Sequence, residues 1–136
     1  MTILEDMKIN VKLKLSACWV TVVLLYLYAD LFGFYTLGHL ENVLAGELAG
    51  TEITQGLLLV FMILMTIPSL MVFLSLVLKA NVNRWTNIIV GIIQIVFVLG
   101  MILGDTDLLY LFSSSVEAVL LLLIIWYAWK WPTQES

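Results

Sequence analysis

The stretch LFSSSVEAVLLLLIIWYAWKW, Leu111 to Trp131, carries the decision about the fold. From Val116 to Trp126 it is hydrocarbon at nearly every position, and it ends in an aromatic and basic cluster of the kind that sits at lipid headgroup level. Extended back to Leu108, the run reaches the roughly 20 residues with which a helix crosses a hydrocarbon core of about 30 Å. Yet three serines and Glu117 lie inside it. A carboxyl there needs a reason.

Three further apolar runs resemble this one, so the chain reads as four spans: Leu15 to Tyr35, Ile53 to Leu78, Trp85 to Gly104 and Leu108 to Trp129. None alternates apolar and polar residues as a barrel wall does, so the spans are helices. Apolar residues make up 62% of the 136 positions and charged ones 12%. With a mean hydropathy of +1.08, a core of this size cannot hide that much apolar surface from water, whereas a bilayer can. The expected fold is all-α: an integral membrane four-helix bundle forming a single transmembrane domain over residues 1–136.

The charges orient it. Lys8, Lys12 and Lys14 precede span one, Lys79 and Arg84 separate spans two and three, and Lys130 follows span four. All six basic residues thus fall at one membrane face, while Glu41, Glu47, Glu52, Asp105 and Asp107 fall at the other. Basic flanks stay cytoplasmic, so both termini are expected inside (N-in/C-in). The net charge of −4 belongs mainly to the outer loops and points away from a nucleic-acid partner. Trp19, Trp85, Trp126, Trp129 and Trp131 read as an interfacial belt, with Tyr35 and Tyr110 near the outer ends.

Span one begins like a signal peptide, MKINVKLK before an apolar run, but the run is too long and no small-x-small site follows before Asp30. It is expected to stay attached. Cys18 is the single cysteine, so it is read as a free buried thiol. In the outer loop, 36–52, Leu37, Leu40, Leu44 and Leu48 recur at helical spacing, which predicts a short amphipathic surface helix weakened by Gly38, Gly46 and Gly50. His39 in that loop is read as solvated, with no metal site patterned around it. Asn83 and Asp105 read as helix N-caps. Pro68 predicts a kink that frees the Leu64 carbonyl, with Thr66 or Ser69 able to satisfy it. Gly100 and Gly104 have the small-xxx-small spacing of a close helix contact.

Depth and phase locate the polar residues. At about 1.5 Å per residue, Glu117 lies about 15 Å inward from Asp107, near mid-membrane, and Gln94 reaches a similar level. Asp30 is shallower. Residues three, four, seven or eleven apart share a helix face, which groups Glu117 with Ser113, Ser114 and Tyr110, Asp30 with Tyr26 and Trp19, and Gln94 with Asn87, Gly91 and Met101. On span two it groups Gln55 with Met62, Thr66, Ser69 and Phe73. Turning these faces inward predicts a ligand-binding pocket lined by Asp30, Gln94, Ser113, Ser114 and Glu117, with Tyr26 and Tyr110 beside them.

No lysine or arginine falls within the membrane, so Asp30 and Glu117 lack a basic partner there, and a bare carboxylate at a helix centre costs roughly 2.5 kcal/mol or more. Three states are open: protonated, hydrogen-bonded beside water, or holding a cation or cationic ligand. The functional reading is binding or transport of a small cationic or amphipathic ligand, or of a proton. The alternative is a structural or accessory subunit whose polar residues tie helices together.

The segments YADLFGFY (Tyr28 to Tyr35), EITQGLLL (Glu52 to Leu59), IPSLMVFLSLVLKANVNRWTNII (Ile67 to Ile89) and VEAVLLLLIIWYAWKWP (Val116 to Pro132) resemble a family of small bacterial four-span membrane proteins catalogued as a domain of unknown function. The resemblance implies a multi-pass protein of the bacterial inner membrane and brings no activity with it. A more distant similarity is to DoxX-like four-span proteins, with no motif that fixes it. Small multidrug-resistance transporters carry their glutamate in the first span, whereas here that span carries Asp30. Thiol oxidoreductases of the vitamin K epoxide reductase type need cysteine pairs. A serine hydrolase would need a base near Ser113 to Ser115. The chain is therefore read as no enzyme, with no cofactor and no metal. The lipid bilayer, a small-molecule ligand and a second copy of the chain are the partners considered.

Overall fold

A computed structural model describes residues 2–48, 50–104 and 107–133. Its elements are α1 (Val11–Gly33), α2 (His39–Leu44), the two-residue strands β1 (Glu47–Leu48) and β2 (Thr51–Glu52), α3 (Gln55–Val77), α4 (Ala80–Gly104) and α5 (Leu108–Trp129). The four long helices are each long and apolar enough to cross a membrane, and α5 has the boundaries its sequence predicted. The chain termini and the α3–α4 turn lie at one end of the bundle, here the termini end. The segment from α2 to β2 lies at the other, the loop end.

Caps explain several boundaries. Asn10 starts α1 four residues before the predicted Leu15, its Oδ1 accepting the Lys12 amide at 2.9 Å. Thr54 starts α3, its hydroxyl accepting the Leu57 amide at 3.1 Å. These oxygens satisfy amides that the first helical turn leaves without partners. Asn83 is not the predicted N-cap. Helix α4 already begins at Ala80, and the buried Asn83 amide donates backward to the Ser75 and Leu78 carbonyls at 2.7 and 3.2 Å. It completes the end of α3 instead of the start of α4, which locks the tight turn between them. Asp105, the other predicted cap, lies outside the described residues.

Helix α1 packs on α3 and α5, α5 packs on α4, and α3 and α4 touch more slightly than these, so α1 and α4 face each other across the diagonal. Besides Ser16, the buried positions of α1 are Leu15, Trp19, Val22, Tyr26, Ala29 and Gly33. Their steps of four and three make a heptad seam, the pattern of left-handed helix packing. Asn87, Gly91, Gln94 and Val98 of α4 and Glu117, Leu121, Ile124 and Ala128 of α5 continue it. In lipid, close packing and interhelical hydrogen bonds hold such seams together, because tails outside are as apolar as leucines inside. Gly91 makes one contact possible: a Cβ there would lie 2.9 Å from Cγ1 of Ile125. Gly100 and Gly104, the predicted contact pair, instead face open space.

Helix α3 departs furthest from expectation. It buries Pro68, Met71 and Ser75, while Met62, Ser69 and Phe73 of its predicted inner face are exposed. The helix runs unbroken through Pro68. Neither nearby hydroxyl goes to Leu64: Thr66 donates to the Met62 carbonyl at 2.7 Å and Ser69 to that of Met65 at 2.8 Å. Both bond four residues back within their own helix, which lets a hydroxyl face lipid without an unmet donor.

The loop end is not one amphipathic helix. Helix α2 stops after Leu44, and the chain turns through Gly46 at φ 86° into the hairpin, where Glu47 pairs with Glu52 and Leu48 with Thr51. Positive φ at Gly38, Gly46 and Gly50 is a conformation that glycine adopts without strain, so these residues break the predicted helix. Leu37, Leu40 and Leu44 remain exposed.

Candidate functional site

Two polar layers cross the bundle, one heptad apart. In the first, near the termini end, the indole Nε1 of Trp19 donates to Oδ1 of Asn87 at 2.7 Å. The Ser75 hydroxyl donates to the same oxygen at 3.2 Å. The Asn87 amide in turn donates to Asn83 at its carbonyl (2.9 Å) and its Oδ1 (2.6 Å). All four side chains are wholly buried. Trp19 is therefore not the surface tryptophan the sequence predicted, whereas Trp85, Trp126 and Trp129 are exposed. A Ser16 hydroxyl bond to the Val72 carbonyl, 2.9 Å, ties α1 to α3 at the same end.

The second layer holds most of the predicted site. Tyr26 donates to Oε1 of Gln94 at 2.8 Å, across the same diagonal and again 68 residues apart. On α5, Ser113 donates to Oε1 of Glu117 at 2.9 Å. Glu117 is 4% exposed, and Gln94, Ser113 and Ser114 are also buried. The side chains of Tyr26 and Glu117 are near enough for their charged forms to interact.

Asp30 and Tyr110 sit at the edge of this cluster. Asp30 follows Ala29, one position off the seam, and is exposed on the flank of α1. It does not line a buried pocket, but its charge reaches Glu117. On the loop side His39 is close enough for its charge to act on Asp30. The histidine is half-buried, its ring tilted against Phe34 at 5.7 Å. It is thus the ionisable neighbour that the sequence reading did not foresee. The Tyr110 hydroxyl lies over Gly33, where a Cβ would collide with it, so glycine at 33 admits the ring.

A cleft of about 60 Å³ opens between α3 and α4, walled by Leu64, Met65, Ile67, Ile93 and Phe97, with Gln94 among its lining. Its size is that of about two waters, far below the several hundred Å³ of an ordinary ligand pocket. Of the predicted site residues it touches Gln94 alone. Among the described residues no three His, Cys, Asp or Glu side chains gather as a metal would require.

Sequence reasoning grouped Asn87 with Gln94 and Trp19 with Tyr26 by face, yet left Trp19, Ser75, Asn83 and Asn87 out of the site. The signal was available. The seven-residue spacing from Trp19 to Tyr26 matches that from Asn87 to Gln94, as two rungs of one ladder require.

A family model matches residues 1–136, the length of the chain. The chain belongs to this family, DUF6326, a family of unknown function. No curated protein and no solved structure matches it.

Proposed function

We propose that this chain is a multi-pass protein of the bacterial inner membrane, both termini cytoplasmic, that binds and passes a proton or a small cation at Glu117. The observation that carries the reading is the setting of that carboxyl. Glu117 is buried at a seam position near mid-membrane, with the Ser113 hydroxyl donating to it and a second carboxyl, Asp30, in electrostatic reach toward the loop end. Every lysine and arginine lies toward the other end. Two carboxyls with no lysine or arginine near them attract positive charge, and ionisable groups at such depth mark ion and proton paths.

Dimensions favour the smaller of the ligands considered. The cleft beside Gln94 suits waters or a stripped ion and is too small for a bulky amphipathic cation. Tyr26, Gln94 and Ser113 supply hydroxyl and amide groups that can exchange hydrogen bonds as charge enters or leaves. Asp30 and His39, at the exposed flank, form the outer mouth of the path. This is a role in binding or transport and not an enzyme's.

The closed network around Asn87 favours a second reading, an accessory subunit whose polar residues only hold helices together. Reconstituted vesicles separate the two. A pH-sensitive dye inside the vesicle, with a sodium or potassium gradient across it, reports flux through the intact chain and through Glu117→Gln. Flux that falls at least tenfold in the variant while helicity is unchanged supports the path. Equal behaviour of the two chains removes it and leaves the accessory reading in place.

A further inference from the structure

A second site lies at the opposite end from Glu117. The extended segment before α1 passes beside the last turn of α5, and together they enclose an open groove of about 500 Å³. Its charged lining is Lys8, Lys14 and Lys130, set among Trp126, Tyr127 and apolar side chains. Among the described residues no carboxylate lines it. Lys14 rests over the Tyr127 ring at 5.3 Å, and among the described residues none of the three lysines is held in an ion pair. The fourth basic group near this end of α5 is otherwise engaged: Arg84 donates to the Ala128 and Trp129 carbonyls, both at 3.1 Å.

We propose that this groove binds the phosphate headgroup of an anionic membrane lipid. Three lysines line one concavity, and a lysine ammonium binds phosphate as a point charge. The aromatic side chains place the groove at headgroup depth, where Trp and Tyr collect. Basic pockets beside membrane helices are suited to anionic headgroups, each lysine contributing about 1 kcal/mol near the surface. The apolar share of the lining, Met7, Ile9 and Val11 among it, fits the glycerol and first acyl carbons. The lipid would thereby order the segment before α1 against the end of α5. This site stands independently of any role for Glu117.

The test uses the full chain in nanodiscs of phosphatidylcholine with a rising share of phosphatidylglycerol, with bound lipid counted by native mass spectrometry after release. Phosphatidylglycerol is expected to be retained at least tenfold over phosphatidylcholine, and its affinity to fall about fivefold for each of Lys8→Gln, Lys14→Gln and Lys130→Gln. Lys12→Gln and Lys79→Gln remove the same charge at the same end outside the groove, and should leave retention within about twofold of the parent. Circular dichroism and thermal unfolding in phosphatidylcholine alone check that each variant is folded. Equal retention of the two lipids overturns the proposal. So does an equal loss from the control lysines, which would mean a general surface potential. Protection by inorganic phosphate alone, at concentrations where the lipid gives none, would assign the groove to a free anion and likewise overturn it.

Discussion

Toward the termini, Asn87 gathers an indole, a serine and a second asparagine into a buried cluster in which donors and acceptors are matched. Two turns further along the same seam, Glu117 is also buried and accepts from the Ser113 hydroxyl, and its electrostatic neighbours are another carboxyl and a tyrosine. Both layers use polar side chains in a setting that punishes unmet ones. The first is built to stay shut. The second sets one carboxyl in electrostatic reach of another, an arrangement of like charge that a bound proton or cation would relieve.

Substitutions can break that contrast, with stability read by detergent-induced unfolding in mixed micelles. The largest loss is expected from Asn87→Ala, which strips partners from Trp19, Ser75 and Asn83 at once and should cost about 3 kcal/mol. Gly33→Ala drives a methyl group into the Tyr110 hydroxyl. Because that ring can swing away, about 1 kcal/mol is expected, at the low end for overpacking. Tyr26→Phe removes one bond across the diagonal and should cost about 0.6 kcal/mol, the usual size of such bonds in membranes. Glu117→Gln keeps an oxygen for Ser113 to donate to and should change stability by less than about 0.5 kcal/mol, while abolishing flux. If Glu117→Gln instead destabilised the chain as much as Asn87→Ala, the two layers would be doing the same job.

The four helices were legible because apolar length is a strong signal, and Leu108 to Trp129 reads identically in sequence and structure. What failed was the assumption that every polar residue turns inward. Thr66 and Ser69 satisfy their hydroxyls on their own helix, so α3 can show them to lipid, and its true inner face is the unremarkable Pro68, Met71 and Ser75. Asn83 looked like the start of a helix because asparagine caps are usually local; here it reaches back to the preceding helix. The inward phase of Tyr26, Gln94, Ser113, Ser114 and Glu117 was legible, since all five are buried within the bundle. Asp30 lay one position off the seam, a difference of about 100° around the helix that spacing from Tyr26 alone does not resolve. His39 came near it through the fold of α2, which local periodicity does not encode.

The hydrogen bonds of the two layers also bear on assembly. Trp19, Tyr26 and Ser75, on the first pair of long helices, provide the hydrogens; Asn87 and Gln94, on α4, provide the accepting oxygens. The two halves of the chain are thus shaped like plug and socket. A nascent chain with only α1 and α3 inserted holds an indole that lacks its acceptor, and two such halves meeting each other would set like against like. Arrival of α4, the third long helix, supplies both oxygens at one spacing, so the ladder rewards one partner in one register and penalises the alternatives.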